Sequence, residues 1–414
     1  MSASESGAPR RRLLFLAPFP PRLDATHGGA RVTAQLIRML AARHDVATLY
    51  LRAQDEQPAD ESITERCAVA EGVSIPPSAS LATRVSRTLA SLRGLPGWVG
   101  WTRVPAFGRR ARDLAASWRP DVVHFEYHVM GQYAPALPNR DAAWILTEYE
   151  AGVLAAREHL HQEGSAGSLG ARLQRRAWAR YERGVIARMD AVVVFSERDR
   201  AALAPLAGTT PIVRIGLGTH LPAATLDAPA SDEAPELLFV GNFKHPPNVD
   251  AAIRLVERIF PRVKAAVPAV TLRIVGAHPP ARLTEASRDG VYVTGVVPDV
   301  VPHLNAATLV VVPLRLGGGM RVKVLEALAH GRAVVASPRA VEGLDVSAGV
   351  HLVLADSDDE FVSAIVGLLG APDQRRALAA NARGWAAAHL GEERWAAEYE
   401  ALYARVLGQR RHAP

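Results

Sequence analysis

The densest group of residues with chemical potential lies between positions 317 and 326. Three consecutive glycines, Gly317 to Gly319, precede Arg321, Lys323 and Glu326. Glycine lets a backbone approach a ligand closely, and the free amides at a helix start attract anions. Arg321 adds a forked guanidinium and Lys323 a mobile ammonium, so the segment predicts a cradle for a diphosphate.

The same segment predicts further contacts to a nucleotide. Glu326 follows Lys323 by three residues, on a neighbouring part of the helix surface, where its carboxylate can accept hydrogen bonds from ribose hydroxyls. The amides of Gly318 and Gly319 complete the predicted set with Met320, near which the helix begins. The alternatives are an ordinary glycine turn with solvated charges and a salt-bridged Glu326.

The elements around this segment alternate between short apolar runs and longer amphipathic stretches, which is typical of parallel βαβ units. Predicted strands are Leu13–Ala17, Asp45–Tyr50, Val122–Phe125, Trp144–Thr147, Ala191–Phe195, Ile212–Ile215, Glu236–Val240, Thr271–Val275, Val291–Thr294, Thr308–Val312, Ala333–Ala336 and His351–Leu354. Residues 223–235 lack periodicity and are rich in proline, alanine and acidic residues, which indicates a linker.

We therefore expect an α/β protein with two doubly wound, Rossmann-like domains that face each other across a cleft. The predicted domains are residues 1–222 and 236–390, followed by a helix and tail over 391–414. In that helix Trp395, Tyr399, Leu402 and Val406 form an apolar stripe, whose default explanation is core packing. Ligands of such sheets bind beyond the carboxyl ends of the strands.

Two positions in the first half carry candidate site residues. Gly28 and Gly29 follow the first strand and precede the predicted helix Val32–Ala42, so their amides can approach a phosphate or an acceptor, with a simple turn as the alternative. His124 and Glu126 close a strand, and the alternation of a strand points both to one face. Each is either a ligand contact or a satisfied buried polar group.

The second half resembles the C-terminal domain of the family 4 (group 1) retaining glycosyltransferases. The resemblance runs from Leu237–Phe243 through Val293–Asp299 and the glycine-rich segment to Ala333–Ser337, and the first half is similar at its glycine loop, at Arg119–His124 and at Asp190–Glu197. A bacterial subgroup carries the same Gly-Gly-Gly-x-Arg-x-Lys loop. The resemblance implies a catalytic role for Arg321 and Lys323 toward the departing diphosphate, and places His124, with Glu126 beside it, against the donor sugar.

The sequence departs from that family at three positions. Glu326 fills the second of two usual glutamates, whereas Gly318 stands at the first, which normally contacts the sugar. Asn242 and Pro247 stand where the family normally has an arginine and a lysine for the diphosphate. We expect Arg321 and Lys323 to take over that task, with Asn242 and Lys244 beside the phosphate.

The resemblance implies transfer of a sugar from a nucleotide-sugar donor to a glycan, lipid-linked or small-molecule acceptor. It implies retention of configuration and no cofactor, and no metal is expected at the site. One rival is an epimerase of the same fold, which needs no acceptor. Another is a non-catalytic protein that binds the sugar nucleotide without turnover.

The distribution of charge and the cysteine content limit which partners and which cellular compartment are expected. Residues 1–222 hold 28 arginines against 21 acidic residues, whereas the rest of the chain is nearly neutral. The basic half and its Arg-rich helix Arg172–Arg188 are compatible with peripheral contact to anionic lipid. The alternative is that these arginines form a solvated surface. Nothing in the chain resembles a nucleic-acid-binding motif. With Cys67 as its one cysteine, the protein is expected in the cytoplasm or at the inner face of the plasma membrane. The acidic run Asp356–Asp359 is interpreted as a helix start rather than a metal site.

Overall fold

The computed structural model describes residues 9–25, 28–77, 94–138, 141–156, 168–218, 234–317 and 322–411 of the chain. These residues group into two compact units. The first unit contains residues up to 25, 29–217 and the segment from 393 onward, and the second contains Gly28 and residues 218–392. Within the described ranges, no helix has both the length and the apolar character needed to cross a membrane.

The first unit is built on a parallel sheet of seven strands in the order β3-β2-β1-β4-β5-β6-β7. These strands are β1 (Arg12–Ala17), β2 (Asp45–Arg52), β3 (Val69–Ser74), β4 (Val122–Glu126), β5 (Ala143–Glu148), β6 (Ala191–Val194) and β7 (Ile212–Arg214). The inner strands β4, β5 and β6 are wholly buried, because helices cover both faces of a parallel sheet. Their apolar sequences follow from that burial, and the six strands predicted here are confirmed to within two residues.

Helices connect these strands on both faces of the sheet. The α-helices of the first unit are Gly28–Ala41, Glu61–Thr64, Gly97–Trp101, Pro105–Trp118, Leu169–Ile186 and Glu197–Leu203, and the 3₁₀ segments are His128–Ala136 and Ala204–Leu206. The helices Gly28–Ala41 and Leu169–Ile186 correspond to two that the sequence predicts. Nine residues of the first of these are buried, which is the apolar stripe expected of a helix packed on a sheet.

The second unit repeats this plan with six parallel strands in the order β10-β9-β8-β11-β12-β13. These strands are β8 (Glu236–Val240), β9 (Thr271–Val275), β10 (Val291–Gly295), β11 (Leu309–Val312), β12 (Val334–Ala336) and β13 (Val353–Leu354). Each was predicted from its short apolar run. Both sheets therefore have the strand order of the dinucleotide-binding fold, which confirms the predicted fold class.

The helices of the second unit are Pro246–Arg254, Phe260–Ala266, Ala281–Thr284, Val301–Ala306, Val322–Ala329, Asp358–Leu369 and Pro372–Leu390, with a π-helical turn at Leu255–Ile259 and a 3₁₀ turn at Pro338–Val341. Ser357 caps the helix Asp358–Leu369, because its hydroxyl accepts a hydrogen bond from the Glu360 amide while the Glu360 carboxylate accepts one from the Ser357 amide. Asp358 pairs with Arg254 at 2.6 Å. The acidic run is thus a helix start, as the sequence indicates.

The last helix, Glu392–Arg411, returns to the first unit. The predicted stripe is confirmed as core, since Trp395, Tyr399, Leu402 and Val406 are at most 3% exposed. Each such side chain contributes about 1.5–3 kcal/mol to folding. Salt bridges join Arg11 to Glu400 near the middle of the helix and Asp190 to Arg410 near its carboxyl end, so this helix is an integral part of the first unit.

Strand order reverses at one point in each sheet, between β1 and β4 and between β8 and β11. Doubly wound sheets bind ligands outside the carboxyl ends of the strands at such a reversal. The loops that follow β8 and β11 are the ones that contain the predicted diphosphate residues. The loops that follow β1 and β4 contain the glycine pair and the segment after Glu126.

Candidate functional site

Two loops of the second unit meet at the carboxyl edge of its sheet. Gly317 follows β11 and has φ +92°, a conformation that favours glycine. A β-carbon added at Gly317 would lie 2.8 Å from Cγ of Pro247, the second residue of the helix Pro246–Arg254 that follows β8. Any side chain at position 317 would therefore push the loop after β11 away from the start of this helix, so the first residue of the predicted cradle must be glycine.

Of the two cations predicted between positions 317 and 326, Arg321 and Lys323, the structure describes the position of Lys323. It lies on the helix Val322–Ala329, and its ammonium donates a hydrogen bond to the side-chain oxygen of Asn248. The same nitrogen lies 4.8 Å from the centroid of the Phe239 ring, within range of a cation–π interaction. The side-chain amide of Asn248 in turn donates to the backbone oxygen of Asn242 at 2.8 Å. Lys323 thus brings positive charge onto the loop that follows β8.

Two titratable groups near Lys323 have shifted pKa values. Partial desolvation by the surrounding protein, and then the positive charge of Lys323, lower the pKa of His245 below its ordinary value. Arg315 in the loop after β11 is paired with Asp250 at 2.5 Å, and this hydrogen bond raises the pKa of the guanidinium. The charge of Arg315 is therefore balanced by Asp250.

The other predicted donor residues of this unit lie around the same two loops. Asn242 accepts a hydrogen bond from the Lys244 amide through its side-chain oxygen, at 3.0 Å, and Lys244 is exposed. Glu326 is half-buried one turn after Lys323. Gly318, Gly319, Met320 and Arg321 lie outside the described residues, so their roles stay predictions.

In the first unit, the glycine pair begins the helix that follows β1. Gly28 and Gly29 are its first two residues. A β-carbon on Gly29 would lie 1.6 Å from the hydroxyl oxygen of Tyr127, the residue that follows β4. Tyr127 itself has φ +68°, which is unusual for a residue with a side chain. The start of the helix after β1 is therefore in close contact with the residue after β4, at the reversal point of this sheet.

His124 and Glu126 are both fully buried in β4, on the same face as predicted, with 3.6 Å between His124 Nδ1 and a Glu126 oxygen. His124 Nε2 makes a 2.8 Å hydrogen bond with the hydroxyl of Tyr403 in the last helix. Glu126 accepts hydrogen bonds from the Tyr149 hydroxyl at 2.6 Å and the Thr147 hydroxyl at 3.0 Å. Both residues have protein partners, and their contact with a donor sugar stays a prediction.

A third group at this edge was not predicted from the sequence. His128, Glu148 and Glu182 are buried, and one side-chain nitrogen or oxygen from each lies within 4.8 Å of the others. Burial raises the pKa of Glu148 well above its ordinary value and lowers the pKa of His128. Burial, and then the charge of Glu148, raise the pKa of Glu182 to about 8.

Both halves of the chain match family models of known enzymes. Residues 27–218 match the family described as "Glycosyl transferase 4-like domain", and residues 234–371 match "Glycosyl transferases group 1". Together with the two Rossmann-like units, these matches define a glycosyltransferase of the GT-B fold. The chain carries a 4-like domain in its first half and a group 1 domain in its second.

Solved structures of glycosyltransferases share the fold along nearly the whole chain. Sucrose-phosphate synthase from Thermosynechococcus elongatus aligns with a TM-score of 0.69 and 21% identity over 96% of this chain and 100% of its own. WaaG, a glycosyltransferase involved in lipopolysaccharide biosynthesis, aligns with a TM-score of 0.63 and 15% identity over 95% and 99%. HepE of Anabaena, in complex with UDP-glucose, aligns with a TM-score of 0.63 and 14% identity over 97% and 100%. No curated protein matches the chain by sequence.

Proposed function

We propose that this glycosyltransferase takes a sugar from a nucleoside-diphosphate donor held at the carboxyl edge of the second sheet, and transfers it with retention of configuration. The observation that carries the proposal is the position of Lys323, whose ammonium contacts Asn248 in the first turn of the helix Pro246–Arg254 that follows β8. Asn242 and Pro247, which also follow β8, occupy the positions where the resembling family has an arginine and a lysine. Lys323 supplies from a neighbouring helix the charge that these two positions lack.

The chemical need at this place is positive potential. Breaking the bond between the sugar and the diphosphate builds negative charge on the departing nucleotide, and preorganised donors stabilise that charge in the transition state. Asn248 and Phe239 hold the Lys323 ammonium in place before the donor arrives, so little reorganisation is needed during the reaction. One such contact is worth about 2.7–4 kcal/mol of barrier.

The remaining donor contacts follow from the sequence. Arg321 adds a second cation, the amides at Gly318, Gly319 and Met320 face the phosphate and sugar, and Glu326 accepts hydrogen bonds from the ribose. The donor phosphate itself receives the proton of the acceptor hydroxyl, since no side chain is assigned as a dedicated base. In this proposal no metal ion is needed at the diphosphate.

The donor is proposed to be a nucleotide sugar, with uracil as the first base to test. The solved structures of HepE contain UDP and glucose in one case and UDP-glucose in another. In the sequence, the glycine-rich segment follows β11, the strand at the reversal point where doubly wound sheets bind nucleotides.

The acceptor is proposed to be a glycan, a lipid-linked sugar or a small molecule bound by the first unit. This unit exposes Trp98 and Trp101 on a short helix, and Leu173 on an arginine-rich helix, each to 44% or more. Exposed aromatic and arginine side chains suit contact with the headgroup region of an anionic membrane. A lipid-linked acceptor at the inner face of the plasma membrane would fit this surface.

The proposal is tested by incubating the purified chain with a panel of nucleotide sugars and acceptors, without added divalent metal, and analysing the products by mass spectrometry. Transfer gives a nucleoside diphosphate and a glycosylated acceptor, whose anomeric configuration is then determined by NMR. A changed nucleotide sugar formed without acceptor would indicate the epimerase alternative. Binding of donor without any turnover would indicate a non-catalytic protein.

A further inference from the structure

Three side chains with metal-binding chemistry converge at the carboxyl edge of the first sheet. His128 follows β4, Glu148 ends β5, and Glu182 lies on the helix Leu169–Ile186. One ligand atom from each lies within 4.8 Å of the others, and His128 Nδ1 is 2.9 Å from a Glu148 oxygen. Three separate elements of the fold therefore deliver one imidazole and two carboxylates to a single point.

Surrounding contacts fix these side chains in place. The two oxygens of Glu182 accept hydrogen bonds from the backbone amides of Gly152 at 2.5 Å and Val153 at 3.1 Å. The ring of His128 is held edge-on by Trp98 and Trp178, with ring centroids 5.0 and 4.8 Å away. Such support is what orients the ligands of a built metal site.

Two polar atoms of this group have no hydrogen-bond partner among the described residues. These are Nε2 of His128, whose side chain is 2% exposed, and Oε1 of Glu148, which is fully buried. In the described part of the chain, no lysine or arginine forms an ion pair with Glu148 or Glu182. Buried carboxylates are costly unless they are neutralised, and coordination of a cation is one of the few ways to do so.

We infer that His128, Glu148 and Glu182 bind a divalent transition-metal ion, for which Zn²⁺ has the best-matched ligand preferences. Zn²⁺ takes histidine nitrogen and carboxylate oxygen ligands at about 2.0–2.2 Å in a tetrahedron, so that ligand atoms lie about 3.4 Å apart. The observed separations, which extend to 4.8 Å, exceed that distance by at most about 1.4 Å, which side-chain rotations can close. Water completes the tetrahedron, and the ion links β5 to the segment after β4 and to the helix Leu169–Ile186. This site lies in the first unit and does not depend on the proposed transfer reaction.

The test is the zinc content of the full-length, tag-free chain after incubation with Zn²⁺ and exhaustive dialysis, measured by plasma mass spectrometry. The wild-type chain is expected to retain about one Zn²⁺. Glu148→Gln and Glu182→Gln, which keep side-chain shape, are expected to retain less than about 0.2. Because the chain has 14 histidines, His44→Gln is the matched control: His44 is also buried in the first unit, but among the described residues it has a single carboxylate partner, Glu400. It should retain zinc like the wild type.

The thermal stability of the wild-type chain provides a second readout, which is needed if the glutamine variants do not fold. Removing zinc from the wild-type chain with EDTA should lower its Tm by about 5–10 °C, and restoring Zn²⁺ should reverse the change. A wild-type chain that retains less than about 0.2 Zn²⁺, with a Tm indifferent to EDTA, would overturn the inference. Retention of zinc by both glutamine variants would overturn it equally, because the ion would then lie elsewhere.

Discussion

Lys323→Met removes the ammonium that the proposed function requires and keeps a long apolar side chain against Phe239. In the wild-type chain, the ammonium contacts Asn248 and lies 4.8 Å from the Phe239 ring. Methionine packs well against aromatic rings, so part of the local stabilisation is kept. The free energy of unfolding should fall by about 1–2 kcal/mol, from the lost charged hydrogen bond and cation–π contact, which lowers Tm by only a few degrees.

The catalytic loss should be much larger than this structural loss. If Lys323 stabilises the charge that develops on the leaving diphosphate, its removal costs about 2.7–4 kcal/mol of transition-state stabilisation, which lowers kcat by about 100- to 1,000-fold. The assay measures nucleoside diphosphate release at saturating donor and acceptor, using the pair found by the product screen. Circular dichroism and thermal melts on the same samples separate catalysis from folding.

Lys264→Met is the matched control. Lys264 is also in the second unit, and its ammonium donates to the backbone oxygen of Val270 at 2.8 Å. Val270 directly precedes β9, so this lysine lies at the amino edge of the sheet, opposite to the predicted site. The kcat of the Lys264→Met variant should stay within about twofold of the wild-type value. Wild-type kcat in Lys323→Met, or equal losses in the two variants, would refute the role of Lys323.

Three further predictions concern Glu326, His245 and Tyr403. Glu326→Ala should weaken nucleotide binding about tenfold or more, because a charged hydrogen bond to ribose is lost; calorimetry measures this, and an unaltered dissociation constant would remove Glu326 from the site. Lys323→Met should raise the pKa of His245, since the positive charge that disfavours its protonation is gone; an NMR titration that gives the same pKa in both proteins would contradict the contact. Tyr403→Phe should cost about 1–2 kcal/mol of unfolding free energy by leaving Nε2 of buried His124 unpaired, with nucleoside diphosphate affinity unchanged; a wild-type Tm would show that this hydrogen bond contributes nothing.

Strands buried on both faces could be predicted from the sequence because burial favours apolar residues at most positions. Thus β8, with sequence Glu-Leu-Leu-Phe-Val, was predicted with its observed bounds, whereas β3 was missed. The strand β3, Val69–Ser74, lies at the edge of its sheet, contains Glu71 and Gly72, and is only partly buried, so it lacks an apolar run.

The candidate site was predictable where its residues lie close together in the sequence. Lys323 and Glu326 lie three residues apart on one helix, which local pattern reveals. The contact between Lys323 and Asn248 spans 75 residues and depends on the strand order β8-β11. His128, Glu148 and Glu182 are likewise brought together only by the fold, and no spacing rule could group them. The partner of the last helix was also beyond prediction, since periodicity identifies a buried stripe and not what covers it.

The most direct test of the central claim is to map where a nucleoside diphosphate binds. In TROSY spectra of the ¹⁵N-labelled chain, adding UDP should shift the backbone amides of residues 241–245, of Asn248, of Gly317 and of Val322–Glu326, and Lys323→Met should weaken these shifts. The absence of shifts there, or shifts concentrated at the amino edge of the sheet around Lys264 and Val270, would contradict the account.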